Sequence, residues 1–300
     1  MMRFYRIAAL IVITLICNLG IAESKKVKVS DGTEIYITVK GKGPYCLYLH
    51  GGPGSGSYWL EKYYGDVLEK YFTMVYLDQR GVGRSSSPQN NDFSISRMVS
   101  DFEEVRKELE VEKWYTLGHS FGGVLQMGYY ERYPSSMSGM LMINCTLSLE
   151  DSFKNSWIPK AYELSGVEYD QKSDTLKLMD RFLDALKAIS EKGDRWRMAF
   201  LNKASEDSIS STYSEINNWN NTFSNVAFSI NDYWKDYTTA TSDVKVPVLF
   251  FYGKSDWSIG PKHYTKVKFP ISKVVSCETA HFPFLENKKE LEESISQFLQ

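Results

Sequence analysis

Cysteine is scarce in this chain, with four in 300 residues, and none belongs to a CxxC pair or a Cys/His cluster. That spacing argues against a disulfide framework and against a structural zinc site. Cys46 and Cys145 lie in apolar, strand-like runs and Cys277 closes another, so buried free thiols are expected. Neither sign of charge is in excess: 35 Lys plus Arg stand against 37 Asp plus Glu, for a net charge of −2. With no basic block, nothing favours nucleic-acid binding. Heptad runs and fixed-period repeats are also missing. What remains is ordinary for a soluble globular protein, at 43% hydrophobic and 24% charged residues. The length fits one large domain, or one domain carrying a sizeable insertion. Aromatic residues are abundant at 14%, which hints at large apolar pockets.

The N-terminus has its own character. Arg3 and Arg6 precede an apolar run from Ile7 to Ile16, and Gly20-Ile21-Ala22 then offers small residues ahead of Glu23. A basic start, a short apolar core and a small-x-small exit describe a secretory signal peptide over residues 1–22. The run is shorter than the roughly 20 residues a spanning helix needs, so the mature chain is expected to be exported without a membrane span. Lipidation at Cys17 or an uncleaved anchor is the alternative, but bulky Ile16 makes a poor lipoprotein cleavage site. Asn144-Cys145-Thr146 and Asn220-Asn221-Thr222 match the glycosylation acceptor pattern, which is too common to carry weight.

Apolar and polar residues alternate on both sides of Asp31-Gly32, predicting a β-hairpin over Val27–Val29 and Glu34–Val39. Continuous apolar runs follow at Tyr45–Leu49, Met74–Leu77, Trp114–Leu117, Met140–Ile143 and Val246–Tyr252, with a weaker one at Lys273–Ser276. Strands buried on both faces read this way and belong to parallel sheets covered by helices. Helical spacing appears between them, at Ser57–Lys70, Ile95–Leu109 and Ser120–Tyr133. Leu291, Ile295 and Phe298 space a C-terminal helix with no clear N-cap signal before it. The expectation is a mostly parallel, doubly wound α/β sheet over residues 23–146 and 244–300. Between them, residues 147–243 show no strand run and an amphipathic pattern at Met179, Phe182, Leu183, Leu186 and Ile189. An inserted helical cap is predicted there, above the carboxyl ends of the strands, where open α/β sheets bind ligands.

Gly118-His119-Ser120-Phe121-Gly122 is a G-x-S-x-G sequence directly between a buried-strand run and a helix. That context holds a serine in a sharp, strained turn with its hydroxyl exposed, so Ser120 is the expected nucleophile. A serine needs a base, and His281, just past the last strand run, is the best placed of four histidines. His119 is expected to point away from the site, His50 to support the backbone of its glycine loop, and His263 to be solvated. Asp256 follows the Val246–Tyr252 run and gives the order Ser, Asp, His, with Asp232 and Asp243 as alternatives for the orienting acid. Donors for a developing oxyanion are expected from the N–H of Phe121 and from the His50-Gly51-Gly52-Pro53-Gly54 loop, with Gly52 preferred and Gly51 next. A phosphate-binding glycine loop is the rival reading, but the lysine of a Walker sequence is missing.

These residues together resemble the prolyl aminopeptidase (proline iminopeptidase) group of α/β-hydrolases, peptidase family S33. The resemblance rests on HGGPG at His50–Gly54, DQRGVGRS at Asp78–Ser85, GHSFGG at Gly118–Gly123, GKSD ending at Asp256 and AHFPFLE from Ala280 to Glu286. It implies an α/β-hydrolase fold with a helical cap and release of an N-terminal proline or other residue from short peptides. It also implies acidic cap residues for the free amine. Glu215, Trp219 and Asp232 are the candidates for substrate binding, with Glu206 also in the cap. Phe121 departs from the tryptophan that often follows the nucleophile in prolyl enzymes, which separates the triad from proline preference. A carboxylesterase, lactonase or other small-molecule hydrolase is the alternative, and a non-catalytic binding module on the same scaffold is a third reading. Epoxide hydrolases and haloalkane dehalogenases need an aspartate where Ser120 stands. No metal or organic cofactor is implied.

Overall fold

The computed structural model describes residues 23–168 and 177–300, so the expected leader, residues 1–22, lies outside the described residues. Asp31-Gly32 turns the chain between β1 (Glu23–Lys28) and β2 (Glu34–Gly41), which pair antiparallel. The apolar runs become β3 (Tyr45–Leu49), β4 (Thr73–Leu77), β5 (Trp114–His119), β6 (Met137–Ile143), β7 (Val248–Gly253) and β8 (Ser272–Cys277). Together they form one eight-stranded sheet in the order β1-β2-β4-β3-β5-β6-β7-β8, antiparallel only at the β1–β2 and β2–β4 pairings.

Strand side chains alternate between two cores. Leu47, Leu49, Val75 and Leu77 face one core, packed by Phe102 of α2 (Ile95–Glu108) and Val124 of α3 (Gly122–Arg132). Cys46, Tyr48, Met74 and Tyr76 face the other, packed by Trp59 of α1 (Tyr58–Leu68), Phe284 of α9 (Pro283–Glu286) and Leu291 of α10 (Lys288–Phe298). Burial on both faces explains why the strands read as unbroken apolar runs. Strand order reverses between β3 and β5, so the carboxyl ends of these neighbours open a crevice. The His50–Gly54 loop follows one of them and Ser120 follows the other.

Every helix or strand described between β6 and β7 is helical. The segment runs through α4 (Leu149–Ser152), a π-helix (Phe153–Trp157), α5 (Ile158–Ser165), α6 (Leu178–Lys192), α7 (Lys203–Thr212) and α8 (Thr222–Val226). Its own apolar cluster centres on Phe153, Trp157, Ile158, Ala185 and Ile189, the last two from the buried stripe of α6.

The DQRGVGRS segment is structural. Arg80, fully buried, grips Asp101 with Nε at 2.6 Å and Nη2 at 2.7 Å, and its Nη1 reaches Asp31 at 2.9 Å and the Asp92 carbonyl at 2.7 Å. One guanidinium thus ties the hairpin turn to α2. Replacing it by methionine would leave the buried Asp101 with Arg97 alone. The expected result is a loss of about 3 kcal/mol in urea unfolding. A change below about 1 kcal/mol, the range of an exposed pair, would refute this role.

Candidate active site

The turn at Ser120 is held by backbone geometry. Ser120 has φ +57°, in the left-handed region that non-glycine residues avoid. Its N–H donates to the Asn144 carbonyl at 3.1 Å, and its own carbonyl accepts from Gly123 N at 3.1 Å and Thr146 N at 3.0 Å. Those bonds to the loop after β6 offset the strain and fix the turn. A Cβ on Gly122 would meet the Leu49 carbonyl oxygen at 2.1 Å, which accounts for glycine there. At Gly51 a Cβ would come 2.6 Å from Ser120 Cβ, so the glycine loop lies directly against the serine. Among the described residues no protein acceptor takes the N–H of Phe121 or Gly52, and both residues line the cavity at Ser120. Gln79 holds this loop through His50: its N–H donates to His50 Nε2 at 3.1 Å and its Nε2 to the His50 carbonyl at 3.0 Å. Burial lowers the His50 pKa to about 4, so the ring stays neutral and keeps that acceptor.

Asp256 and His281 meet as expected. Asp256 is buried, and its Oδ2 accepts from His281 Nδ1 at 2.9 Å, which leaves Nε2 as the basic ring nitrogen. Oδ2 also accepts from Asn144 Nδ2 at 2.7 Å, and Oδ1 accepts from Ile259 N at 3.1 Å. Asn144 donates a second bond to the Ala280 carbonyl at 2.9 Å, joining the acid to the histidine loop. Sequence reasoning missed this residue, reading it only as part of a glycosylation pattern. At 1% exposure it is closed to such chemistry. Asp232 and Asp243, the alternative acids, are exposed.

The histidine loop is also tied to the segment between β6 and β7. His281 N donates to the Ala199 carbonyl at 2.9 Å. Glu286 accepts from Leu201 N at 2.7 Å and from Ala280 N at 2.8 Å, and Phe200 stacks on Phe282 with centroids 4.6 Å apart. Burial raises the Glu286 pKa against these hydrogen bonds. His119 corrects its expectation. Rather than pointing away, its ring lies 4.5 Å from the His281 ring, lines the cavity and has Nε2 2.8 Å from the His281 carbonyl. Burial, reinforced by the neighbouring His281, holds its pKa well below the usual histidine range, so a neutral Nε2–H donates to that carbonyl. His263 is not solvated either: it is 4% exposed, lies 2.9 Å from Asp151 through Nδ1, and accepts the Leu147 N–H at 3.0 Å through Nε2. It pins the start of the inserted segment to the loop after β7.

Ser120, His281, Gly52 and Phe121 line one cavity of about 530 Å³. The inserted segment supplies most of its remaining wall, but not through the residues expected. Glu215 lies outside the cavity, accepting from Tyr58 Oη at 2.7 Å and pairing with Lys62. Trp219 packs over Gly56 and edge-on to Tyr213, and Asp232 is exposed. The carboxylate that does line the cavity is Glu206, on one face of α7 with Ile209, Ser210 and, one residue past its end, Tyr213. Glu206 accepts from Ser210 Oγ at 2.6 Å and pairs with Lys203. Cys46, Cys145 and Cys277 are buried and free, and burial with the nearby Glu290 pushes the Cys277 thiol to about 12. Among the described residues no group of His, Cys, Asp and Glu side chains could hold a metal ion, and no helix is long and apolar enough to cross a membrane.

Comparison with known proteins identifies the fold family. Residues 46–288 match the alpha/beta hydrolase fold family. The chain is 26% identical over 179 residues to a probable aminopeptidase of Bacillus subtilis, covering 58% of this chain and 53% of that protein. It is 30% identical over 147 residues to the proline iminopeptidase of Neisseria gonorrhoeae, covering 48% and 46%. The chain therefore spans about half the length of these curated relatives. Among solved structures, a proline iminopeptidase-related protein from Thermus thermophilus superposes with a TM-score of 0.76 at 23% identity, covering 93% of this chain and 97% of the other. With the matched region taking in β4 to β8, the serine turn and the histidine loop, the chain belongs to the α/β-hydrolase fold family.

Proposed function

We propose that this hydrolase is a serine aminopeptidase that releases an N-terminal residue from short peptides. The observation that carries the proposal is the His281–Asp256 pair, bonded at 2.9 Å, sharing a cavity with a strained Ser120 and an acidic side chain from the inserted segment. In this reading Ser120 Oγ attacks the scissile carbonyl carbon while His281 Nε2 takes its proton. The carbonyl π electrons move to oxygen, where the Phe121 and Gly52 N–H groups receive the charge. Collapse expels the amine with the proton from His281 and leaves an acyl-serine. A water molecule, deprotonated by the same nitrogen, then attacks that ester and restores the serine.

Glu206 supports the peptidase reading over an esterase. Glu206 lines the cavity together with Arg195, and its carboxylate suits the ammonium group of a free N-terminus, which would compete with Lys203 for it. The similarity to proline iminopeptidases points the same way. The test is turnover of aminoacyl p-nitroanilides, prolyl and alanyl among them, with free and with acetylated amino groups. Release that depends on the free amine is expected. Ester cleavage with no anilide turned over would leave only the esterase. Export after removal of residues 1–22 belongs to the same proposal, and a mature native protein that retains Met1 would refute it.

A further inference from the structure

Part of the cavity wall is a cluster of aromatic side chains. Phe153 and Phe182 stack with centroids 4.5 Å apart and planes 9° apart, Trp157 leans on Phe182 at 4.6 Å, and Phe228 meets Phe153 nearly edge-on at 5.6 Å. Met198 joins the same apolar cluster, and all five residues line the cavity. Phe153 and Trp157 are the two ends of the π-helix, a rare element frequent at functional sites. The volume of about 530 Å³ falls within the roughly 300–1,000 Å³ of sites that bury a whole drug-sized ligand. A prolyl or alanyl side chain would leave most of that wall against water. A planar ring can fill it and meet the four aromatic side chains in the offset and edge-to-face arrangements they favour.

We infer that the acyl group this site takes is a large aromatic one, an N-terminal phenylalanine- or tryptophan-like residue, rather than proline or alanine. The inference rests on the proposed acyl-transfer role of Ser120 and narrows its substrate class. It assigns Phe153, Trp157, Phe182 and Phe228 as specificity-determining residues.

The experiment is kcat/KM for prolyl, alanyl, phenylalanyl and tryptophanyl p-nitroanilides, alongside p-nitrophenyl acetate and p-nitrophenyl phenylpropionate. The two aromatic anilides should exceed the prolyl and alanyl ones by at least about a hundredfold, since each methylene lost from an apolar pocket is worth roughly 10- to 200-fold. Equal or better turnover of the prolyl or alanyl compound would overturn the inference. Should no anilide be cleaved, the peptidase reading fails, and the two esters still decide the pocket. A hundredfold preference for phenylpropionate upholds it, and parity with acetate overturns it. Phe182→Ala should cut phenylalanyl turnover about tenfold or more, and so lower the ratio of phenylalanyl to alanyl turnover. Unchanged phenylalanyl turnover in a folded variant would also overturn it. If that variant does not fold, the wild-type panel alone decides.

Discussion

Replacing Ser120 by alanine should lower kcat by roughly 10⁵- to 10⁶-fold while leaving the unfolding transition unchanged. The loss is large because proton abstraction by His281 has no purpose without an oxygen to activate. Residual rate then comes only from substrate binding and the oxyanion donors. The fold should not register the change, since the turn is held by the Ser120 backbone, through Asn144, Gly123 and Thr146, and not by its hydroxyl. Alanine at φ +57° carries the same left-handed strain as serine. Paired measurements of kcat and the urea midpoint check both halves. A variant with near-native turnover would remove Ser120 from the chemistry.

Asp256→Asn should cost about 10⁴-fold in kcat, for a reason legible in the hydrogen bonds. Oδ2 of Asp256 receives two donors, His281 Nδ1 and Asn144 Nδ2, and Oδ1 receives a third from Ile259 N. An amide has one oxygen. Placed at the Oδ2 position, it turns its NH₂ group against the Ile259 N–H. Placed at Oδ1, it turns that group against both His281 and Asn144. In the second orientation His281 can accept the bond only by moving its proton to Nε2, the nitrogen needed as base. Steady-state kinetics across pH checks this, and a loss below about tenfold would mean that the carboxylate neither orients nor stabilises the imidazole.

Much of this was written in local sequence, for identifiable reasons. Strands sealed on both faces leave unbroken apolar runs, and Tyr45–Leu49 is a strand with the bounds its composition predicts. Ser120, Asp256 and His281 stand out in the sequence as candidates because each follows a strand end, and strand ends are where a doubly wound sheet opens. What escaped depended on distant partners. His263 sits among Pro261, Lys262 and Lys266 and reads as solvated, yet its partner Asp151 is 112 residues away. Asn144 and Glu286 act only through loops brought together by the fold. Glu206 was distinguishable in principle from Glu215, since it shares a helix face with Ile209 and Tyr213. The start of α10 was marked too: the Asn287 side chain accepts the Glu290 N–H at 3.3 Å, an Asn-x-x-Glu signature that was there to be read.

The most direct measurement is a fluorophosphonate reaction followed by peptide mapping in a mass spectrometer. The account predicts a single adduct, on the peptide containing Ser120, that forms with loss of activity and is abolished by His281→Ala. Loss of activity with the adduct elsewhere, or full activity with Ser120 modified, would contradict it.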